Sequence, residues 1–267
     1  MLLNAAQLSR STFYYHASPR LTDARECTLQ KRIKQLYTQH RGRYGYRRIT
    51  CALQQAGENV NHKKVLRLMR ELGLKALTRI KKYRAYKGEE GTTAPNYLQR
   101  EFNATRANEK WVTDVTEFKV KSEKLYLSPV MDLYNGEIIA YKTMRKPLLP
   151  LVMGMLKKAC QKLSGKQKPL LHSDQGWQYR HPLYRETLQK EGLTQSMSRK
   201  GNCLDNAAME SFFATLKTEM FYLKRFESIA ELEREIKRYI RYYNYERIKL
   251  KLNGLSPVNY RTQALNP

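Results

Sequence analysis

The sequence is poor in acidic residues and lacks the patterns of several large protein classes. Its 267 residues include 24 Asp or Glu against 50 Lys or Arg, a formal net charge of +26. It has no Gly-Lys-Ser/Thr phosphate-binding loop and no internal repeat. No signal-peptide pattern opens it, and no apolar run is long enough to span a bilayer. These absences argue against a P-loop ATPase, a repeat protein and a membrane protein.

Cysteine is also scarce. Cys27, Cys51, Cys160 and Cys203 are widely separated and form no Cys-x-x-Cys pair or Cys/His cluster. The sequence therefore predicts neither a disulfide framework nor a structural zinc site. Reduced thiols are typical of a reducing compartment, so we expect a cytoplasmic protein.

The surplus of positive charge indicates a polyanionic partner. It is spread along the chain, as in proteins that neutralise nucleic-acid phosphates. A solvated basic face without a ligand is the alternative, and the size of the surplus argues against it. A membrane surface fits less well, because the basic segments carry apolar stripes better explained by packing against a core.

The first part of the chain contains three amphipathic segments with helical spacing of their apolar residues. Gly57 marks a turn between the second and third, and Asn61 has the chemistry of a helix N-cap. We predict a helix-turn-helix-like DNA-binding unit in residues 1–77; a helical unit that never contacts DNA is the alternative. The predicted DNA-contacting residues are Arg47, Arg48, Lys63, Lys64 and Arg67.

Residues 78–107 lose this periodicity and are predicted to be a basic linker. Arg79, Lys81, Lys82 and Arg84 cluster there, and glycine and proline follow. Two interpretations stay open: a connector without specific contacts, or an arm along the phosphate backbone that releases counterions.

Two aspartates stand where local propensity does not explain them. Asp114 interrupts a run of β-branched and aromatic residues, 111–118, that is typical of a strand. Asp174 ends a second strand-like run directly before Gln175-Gly176, so its side chain projects from the carboxyl end of that strand. Ligands bind at this end in α/β sheets, and both aspartates are therefore candidate site residues.

A third carboxylate, Glu210, lies in a segment with helical periodicity, residues 206–217. Asn206 and Lys217 fall on the same stripe of that predicted helix. Around the three carboxylates the elements follow the order β-β-β-α-β-α-β-α. This order predicts an α/β fold with a mixed sheet and helices on its faces.

Other features of this region are interpreted as structural. Asn135-Gly136 predicts a hairpin turn, and Pro129 predicts a sheet edge or a bulge. We interpret Glu117 as solvated, Asp132 as part of the hairpin turn and Asp205 as a helix cap.

Farther along the chain, Ser228 and Glu231 predict a capping box that starts a basic helix. Its apolar residues, from Ile229 to Tyr243, form one stripe. The stripe predicts packing against the core or, alternatively, an interface used in subunit assembly or DNA binding.

The spacing of the carboxylates carries a family resemblance. There are 59 residues between Asp114 and Asp174 and 35 between Asp174 and Glu210, and Lys217 lies seven residues after the glutamate. This pattern resembles the D,D(35)E core of transposases and integrases. Further segments are similar to bacterial insertion-sequence transposases of the IS3 family, specifically the product of the downstream of two overlapping frames: 172–176, 198–207, 242–244, Arg247 and 255–257.

The resemblance implies a ribonuclease H-like catalytic core. It places this core in residues 108–222, after the helical unit and the linker, and a basic C-terminal helical extension in residues 223–267. It also implies metal-dependent cleavage at the ends of an insertion sequence, followed by transfer of the freed 3′-hydroxyl.

The resemblance further assigns roles to residues. Two Mg²⁺ or Mn²⁺ ions are expected, with Asp114 bridging both, Asp174 holding one and Glu210 the other. Lys217 is expected to contact DNA phosphates, with a solvated helix lysine as the alternative. His172 is expected to contact DNA or support the site, with a packed histidine as the alternative. Asn206 and Arg247 complete the expected DNA-binding residues.

The implied partners are the terminal inverted repeats and target DNA. A homo-oligomer on DNA is expected, together with an upstream-frame product or a fusion with it, and no membrane partner. Two other functions stay open: a ribonuclease H-like nuclease that only hydrolyses, and a DNA-binding regulator with an inactive core. The intact carboxylates argue against the second.

Overall fold

The computed structural model describes Ser9 and residues 24–77, 94–165, 167–199 and 203–265. The chain divides into two compact units, residues 1–76 and 77–267. Cys27, Cys51 and Cys160 are free thiols. None of the helices in the described ranges is long and apolar enough to cross a membrane. The predicted basic cluster from Arg79 to Lys87 lies outside the described residues.

The first unit is helical, as predicted. Between residues 24 and 77, the part that the structure describes continuously, its helices are α1 (Ala24–Gln39), α2 (Tyr46–Gln55) and α3 (His62–Glu71). Gly57, at φ +86°, makes the turn after α2. The Asn61 side chain accepts a hydrogen bond from the backbone N–H two residues later over 2.8 Å, which confirms the predicted N-cap. The buried apolar side chains of the three helices include Ile33, Ile49, Leu53, Val65 and Leu68.

The second unit contains the predicted mixed sheet. The strands are β1 (Lys110–Thr113), β2 (Thr116–Val120), β3 (Glu123–Asp132), β4 (Ile138–Met144), β5 (Leu170–Ser173) and β6 (Thr194–Met197). Hydrogen-bonded neighbours follow the order β2-β3-β1-β5-β6, and β4 also pairs with β3. Strands β1, β5 and β6 run parallel, whereas β3 is antiparallel to β1, β2 and β4.

Helices cover this sheet and follow the predicted order. The helices are α4 (Leu149–Cys160), α5 (Trp177–Arg180), α6 (Pro182–Lys190), α7 (Ala207–Glu219), α8 (Ile229–Tyr245) and α9 (Pro257–Leu265). The apolar side of α4 packs in the core of the unit together with Trp111, Val130 and Ile139.

Asp114 lies in a gap between β1 and β2. Thr113 pairs with Val130 and Thr116 pairs with Leu127, so the register on β3 is the same on both sides of the gap. Counting along that register places Asp114 opposite Pro129, which has no N–H to donate to a ladder. The predicted continuous strand is therefore interrupted at the aspartate. The predicted bulge is confirmed by the register shift between Val130 and Met131.

The described part of the predicted linker, residues 94–107, packs onto the sheet unit. Leu98 is 1% exposed. The backbone N–H groups of Tyr97 and Leu98 donate to Ser196 Oγ over 3.0 and 3.2 Å. These residues are therefore part of the sheet unit, which corrects their assignment as a linker.

The C-terminal residues also belong to the sheet unit. Ser228 Oγ accepts from the N–H of Glu231 over 3.2 Å, which confirms the predicted cap. The apolar stripe of α8 is buried, so packing against the core is the correct alternative. Asn244 bonds both backbone groups of Ile138, receiving the N–H over 3.0 Å and donating to the carbonyl over 2.9 Å. The predicted extension is thus bonded directly to the β3–β4 hairpin.

Candidate active site

Strand pairing places Asp114 beside Asp174. Strands β1 and β5 are parallel, with Val112 opposite His172. Two residues farther, the same register puts the two aspartates side by side, just past the carboxyl ends of adjacent strands. Neighbouring strands lie about 4.8 Å apart, so both carboxylates occupy one small region.

Each of these carboxylates is oriented by a nearby backbone N–H. The N–H of Val115 donates to Asp114 Oδ1 over 2.7 Å, and the N–H of Gly176 donates to Asp174 Oδ1 over 3.0 Å. Both aspartates are partly exposed. Among the ion pairs between described residues, none includes Asp114, Asp174 or Glu210. The carboxylates therefore keep lone pairs for a ligand.

Burial raises the pKa values of the three carboxyl groups, and at Asp114 repulsion by the other two adds to the effect. For Asp114 the pKa is raised well above its usual range by burial, then by the negative charges of Asp174 and Glu210; the Val115 N–H and the Lys217 ammonium oppose these effects. Burial raises the pKa of Asp174, and the Gly176 N–H and the charge of Arg180 oppose it. Partial burial raises the pKa of Glu210. A cation at this site would relieve the repulsion.

Glu210 lies in the first turn of α7, on an exposed face. The start of this helix is tied to β1, because the Asn206 side-chain amide donates to the Thr113 carbonyl over 3.1 Å. Asn206 is 5% exposed. Asn206 is therefore bonded to the backbone of the residue before Asp114. This structural contact replaces the predicted contact with DNA.

Asp205, predicted to cap a helix, is instead the buried centre of an ion-pair cluster. It accepts hydrogen bonds from Arg199 over 2.9, 3.1 and 3.1 Å and from Arg100 over 2.7 Å. Hydrogen bonds from Arg199, then from Arg100, hold its pKa well below the usual range despite burial. The cluster fixes both ends of the segment between β6 and α7, of which residues 200–202 lie outside the described ranges.

His172 is fully buried. Its Nδ1 lies 2.8 Å from Ser196 Oγ and its Nε2 lies 3.1 Å from Ser198 Oγ. Burial lowers its pKa to about 4, so the ring is neutral at pH 7. The structure therefore corrects the expected DNA contact: His172 cross-links β5 to β6 beneath Asp174.

Arg247 is likewise a core residue. Its side chain is 8% exposed and forms a two-pronged ion pair with Glu219, with Nη2 to Oε1 at 2.6 Å and Nε to Oε2 at 2.9 Å. Tyr239 donates to the same carboxylate over 2.9 Å. A buried guanidinium in this ion pair does not contact DNA, which corrects the expected role of Arg247 as a DNA-binding residue.

Lys217 lies in the last turn of α7 and is half-buried. Its Nζ lies 5.2 Å from the centre of the Phe118 ring, in a cation–π contact. Its positive charge lowers the pKa of Asp114, which places the ammonium within electrostatic reach of the aspartate. Its contact with DNA phosphates stays a prediction.

The basic residues of the helical unit differ in their partners. Arg67 pairs with Glu26 over 2.8 Å and with Glu71 over 2.7 Å, and Lys64 lies 3.5 Å from Glu26. These carboxylates neutralise part of the charge that was expected to face DNA. The Arg48 guanidinium lies 5.7 Å from the ring centre of Tyr44, and that of Arg47 lies 5.7 Å from the ring centre of Tyr46. Arg47 and Lys63 are exposed.

Sequence reasoning missed Tyr179 and Arg180. The buried Tyr179 hydroxyl lies 3.5 Å from Thr113 Oγ1, and burial, then the charges of Asp114 and Asp174, raise its pKa well above the usual range. Only their closeness to Asp174 in the sequence could have suggested either residue. In the described ranges, no three His, Cys, Asp or Glu side chains form a ready-made metal cluster. Joint metal binding by the three carboxylates therefore stays a prediction.

The sheet order and the paired aspartates define an integrase-type catalytic core. Residues 104–203 and residues 210–265 match two families that are both described as "Integrase core domain". Residues 24–82 match the family described as "HTH-like domain". The catalytic match thus extends from the predicted linker to the last helix.

Proteins with similar sequences identify the family within this class. The chain is 54% identical over 266 residues to the putative transposase InsK for insertion sequence element IS150 of Escherichia coli (strain K12), covering 100% of this chain and 94% of that protein. It is 31% identical over 232 residues to the transposase InsF for insertion sequence IS3A of the same organism, covering 86% and 80%. The chain belongs to the transposases of bacterial insertion sequences, in the group that includes those of IS150 and IS3.

Solved structures include a similar chain. The HTLV-2 integrase catalytic core domain in complex with magnesium, in its dimeric form, aligns with a TM-score of 0.46 at 18% identity. The alignment covers 59% of this chain and 98% of that one.

Proposed function

We propose that Asp114, Asp174 and Glu210 form the catalytic site at which this transposase cleaves the ends of its insertion sequence and transfers the freed 3′-hydroxyl. The proposal is supported most by the register of the parallel strands β1 and β5, which places Asp114 beside Asp174 just past their carboxyl ends. Two adjacent carboxylates with raised pKa values and without a paired cation are typical of a functional site.

The donor groups suit a hard divalent cation. Carboxylate oxygens are the ligands that Mg²⁺ and Mn²⁺ prefer, and each aspartate uses one N–H bond for orientation and keeps other lone pairs. Asp114, Asp174 and Glu210 would hold two such ions, with Asp114 shared between them. When bound, the ions supply activation of the attacking oxygen and stabilisation of the leaving oxygen.

The protein itself positions the DNA. Lys217, two turns after Glu210 on α7, lies near the same face and would hold the phosphate next to the scissile one. Its contact with Phe118 limits the rotation of the side chain before DNA arrives. The net charge of +26 adds attraction that does not depend on sequence.

We propose that the helical unit reads the terminal inverted repeats, with the exposed Arg47 and Lys63 among its predicted contacts. The second DNA partner is the target. We also propose assembly as a homo-oligomer on DNA, with an upstream-frame product or fusion supplying further DNA-reading helices. The reaction would take place in the bacterial cytoplasm, at the nucleoid.

The deciding experiment compares Asp174→Asn with Glu117→Gln. Both changes remove one carboxylate charge, but Glu117 is exposed and already bound to Lys124 and Tyr126. We expect Asp174→Asn to abolish end cleavage and strand transfer while mobility-shift affinity changes little, and Glu117→Gln to retain both activities. Cleavage by Asp174→Asn would refute the site. Cleavage by the wild type without strand-transfer product would favour the hydrolytic nuclease.

A further inference from the structure

Trp177 places an exposed indole beside the paired aspartates. It is the first residue of α5, three positions after Asp174, and it is 48% exposed. The chain has two tryptophans, and the other, Trp111, is fully buried in the sheet. Tryptophan is usually well covered in folded proteins, so an indole in this position needs an explanation.

The turn between Asp174 and Trp177 is tight. A Cβ built on Gly176 would lie 3.0 Å from Asp174 Oδ1 and 3.4 Å from Tyr179 Cδ2. The aspartate and the start of α5 therefore pack around a residue without a side chain. Three residue lengths limit the distance between the Cα atoms of Asp174 and Trp177 to about 10 Å.

Buried neighbours hold α5 in place. Gln178 donates to the Pro147 carbonyl over 2.9 Å, and Tyr179 is 1% exposed, with its ring edge-to-face against Tyr184 at 5.5 Å. The two residues after Trp177 therefore face the core, whereas the Trp177 indole faces solvent.

Positive charge lies at the other end of α5. Arg180 attracts the Asp174 carboxylate electrostatically, and its Nε is buried without a hydrogen-bond partner among the described residues. An aromatic face and a guanidinium on one short helix suit a nucleotide, because the base can stack and the phosphate can accept from the arginine.

We propose that Trp177 stacks on a nucleobase next to the phosphodiester held at Asp114 and Asp174, with Arg180 facing the adjacent phosphate. This inference rests on the proposed function, because it assumes that DNA reacts at these carboxylates. The ligand is a base that has left the duplex stack, either at the element end or at the target site. Stacking tolerates any base, so Trp177 would fix the position of the strand without reading its sequence.

The test uses the full-length protein and a matched control. Tyr97 is an aromatic residue that is 58% exposed. It lines a cavity of about 610 Å³ with Lys110 and Leu170, the first residues of β1 and β5, whereas the aspartates follow the other ends of these strands. We expect Trp177→Ala to weaken binding to element-end or target duplexes by about tenfold. Trp177→Phe should restore most of that loss, and Tyr97→Ala should bind as the wild type does.

Duplexes with single abasic sites, placed one by one around the cut and the target junction, identify the stacked base. At one abasic position, the affinity of the wild type should fall about as much as it does for Trp177→Ala on the intact duplex. The same abasic position should not weaken the binding of Trp177→Ala any further. Its location assigns the base to the element end or to the target. Trp177 fluorescence should also be quenched on binding, and a Trp177→Phe protein should lose this signal.

Equal affinities for Trp177→Ala and Tyr97→Ala, or the absence of DNA-dependent quenching, would overturn the stacking proposal. Cleavage by the wild type is measured in parallel. If the wild type cleaves normally and either of those results is found, the stacking proposal is wrong and the proposed function stands. If the affinity and fluorescence results show stacking but the wild type does not cleave, the proposed function is contradicted.

Discussion

The backbone N–H of Gly176 donates to Oδ1 of Asp174 over 3.0 Å, and a Cβ on Gly176 would lie at that same distance from the oxygen. A methyl group at Gly176 would therefore push the Asp174 carboxylate by a few tenths of an ångström. Gly176 has a φ of −53°, which any residue can adopt, so the constraint is space near the site and not backbone strain.

We therefore expect Gly176→Ala to reduce end cleavage by about tenfold, less than the roughly hundredfold loss that a displacement of about 1 Å at a reacting group causes. Thermal stability should change by less than about 2 kcal/mol, because the turn itself can form. Gly165→Ala is the matched control, since its added Cβ would meet nothing within 4 Å. Equal activity of the two variants would show that the position of Asp174 does not depend on this turn.

Arg247→Ala is expected to destabilise the sheet unit by about 3–5 kcal/mol, because it removes the two-pronged ion pair from the buried Glu219 carboxylate. Denaturant unfolding measures the change. Arg241→Ala, an exposed arginine on α8, should change stability by less than about 0.5 kcal/mol. A stable Arg247→Ala protein with weakened DNA binding would restore the DNA-contact role that the structure corrects.

Lys217→Ala should weaken binding of the element end and lower the slope of log affinity against log salt by about one. Lys190→Ala removes an exposed lysine from α6 and serves as the comparison. The defect of Lys217→Ala should shrink as salt rises, because the lost contact is electrostatic. Salt titrations on element-end and random duplexes measure both slopes, and equal small effects would make Lys217 an ordinary solvated lysine.

The helical unit should lose stability in acid through His40. Burial, then the charges of Arg43 and Arg48, lower its pKa to about 4 from the ordinary value of 6.5. A histidine with a lowered pKa contributes stability that is fully present above pH 6.5 and lost as the pH falls toward 4.

His40→Phe, which keeps a ring stacked on Tyr44, should therefore lose about 2 kcal/mol less than the wild type between pH 7 and pH 5. Urea unfolding of the full chain at both values provides the measurement. The exposed His62, changed to Gln, is the control and should follow the wild type. Identical acid sensitivity in wild type and His40→Phe would show that His40 does not titrate in this range.

Local patterns were sufficient to predict most of the fold. The Asn61 cap, the Ser228 cap and the hairpin at Asn135-Gly136 depend on neighbours within a few residues, and each is confirmed. The family and the class of the core followed from the resemblance to D,D(35)E transposases, which rests on the spacing of Asp114, Asp174 and Glu210 and on further motifs, and the comparisons confirm both.

The errors share a physical cause. Arg247 has its partner far away in the sequence, at Glu219, and Asp205 is bound by Arg199 six residues before it and by the distant Arg100. Charge alone predicts a solvated or ligand-binding residue, because nothing local reveals a buried counter-ion. His172 was ambiguous for the same reason, since its two serine partners lie on the neighbouring strand and just beyond it.

The bonds between Asn244 and Ile138 affect the synthesis of the protein. The three acidic site residues and Lys217 have all been synthesised once the ribosome passes Lys217, but the hairpin backbone at Ile138 gains its partner only with α8, and Asn135 donates to the Pro257 carbonyl. Until then Phe212, on the apolar face of α7, lacks Tyr243, the ring it packs against. A chain that stops before α8 therefore carries the three acidic residues without these core contacts, and we expect DNA cleavage only from chains that include α8.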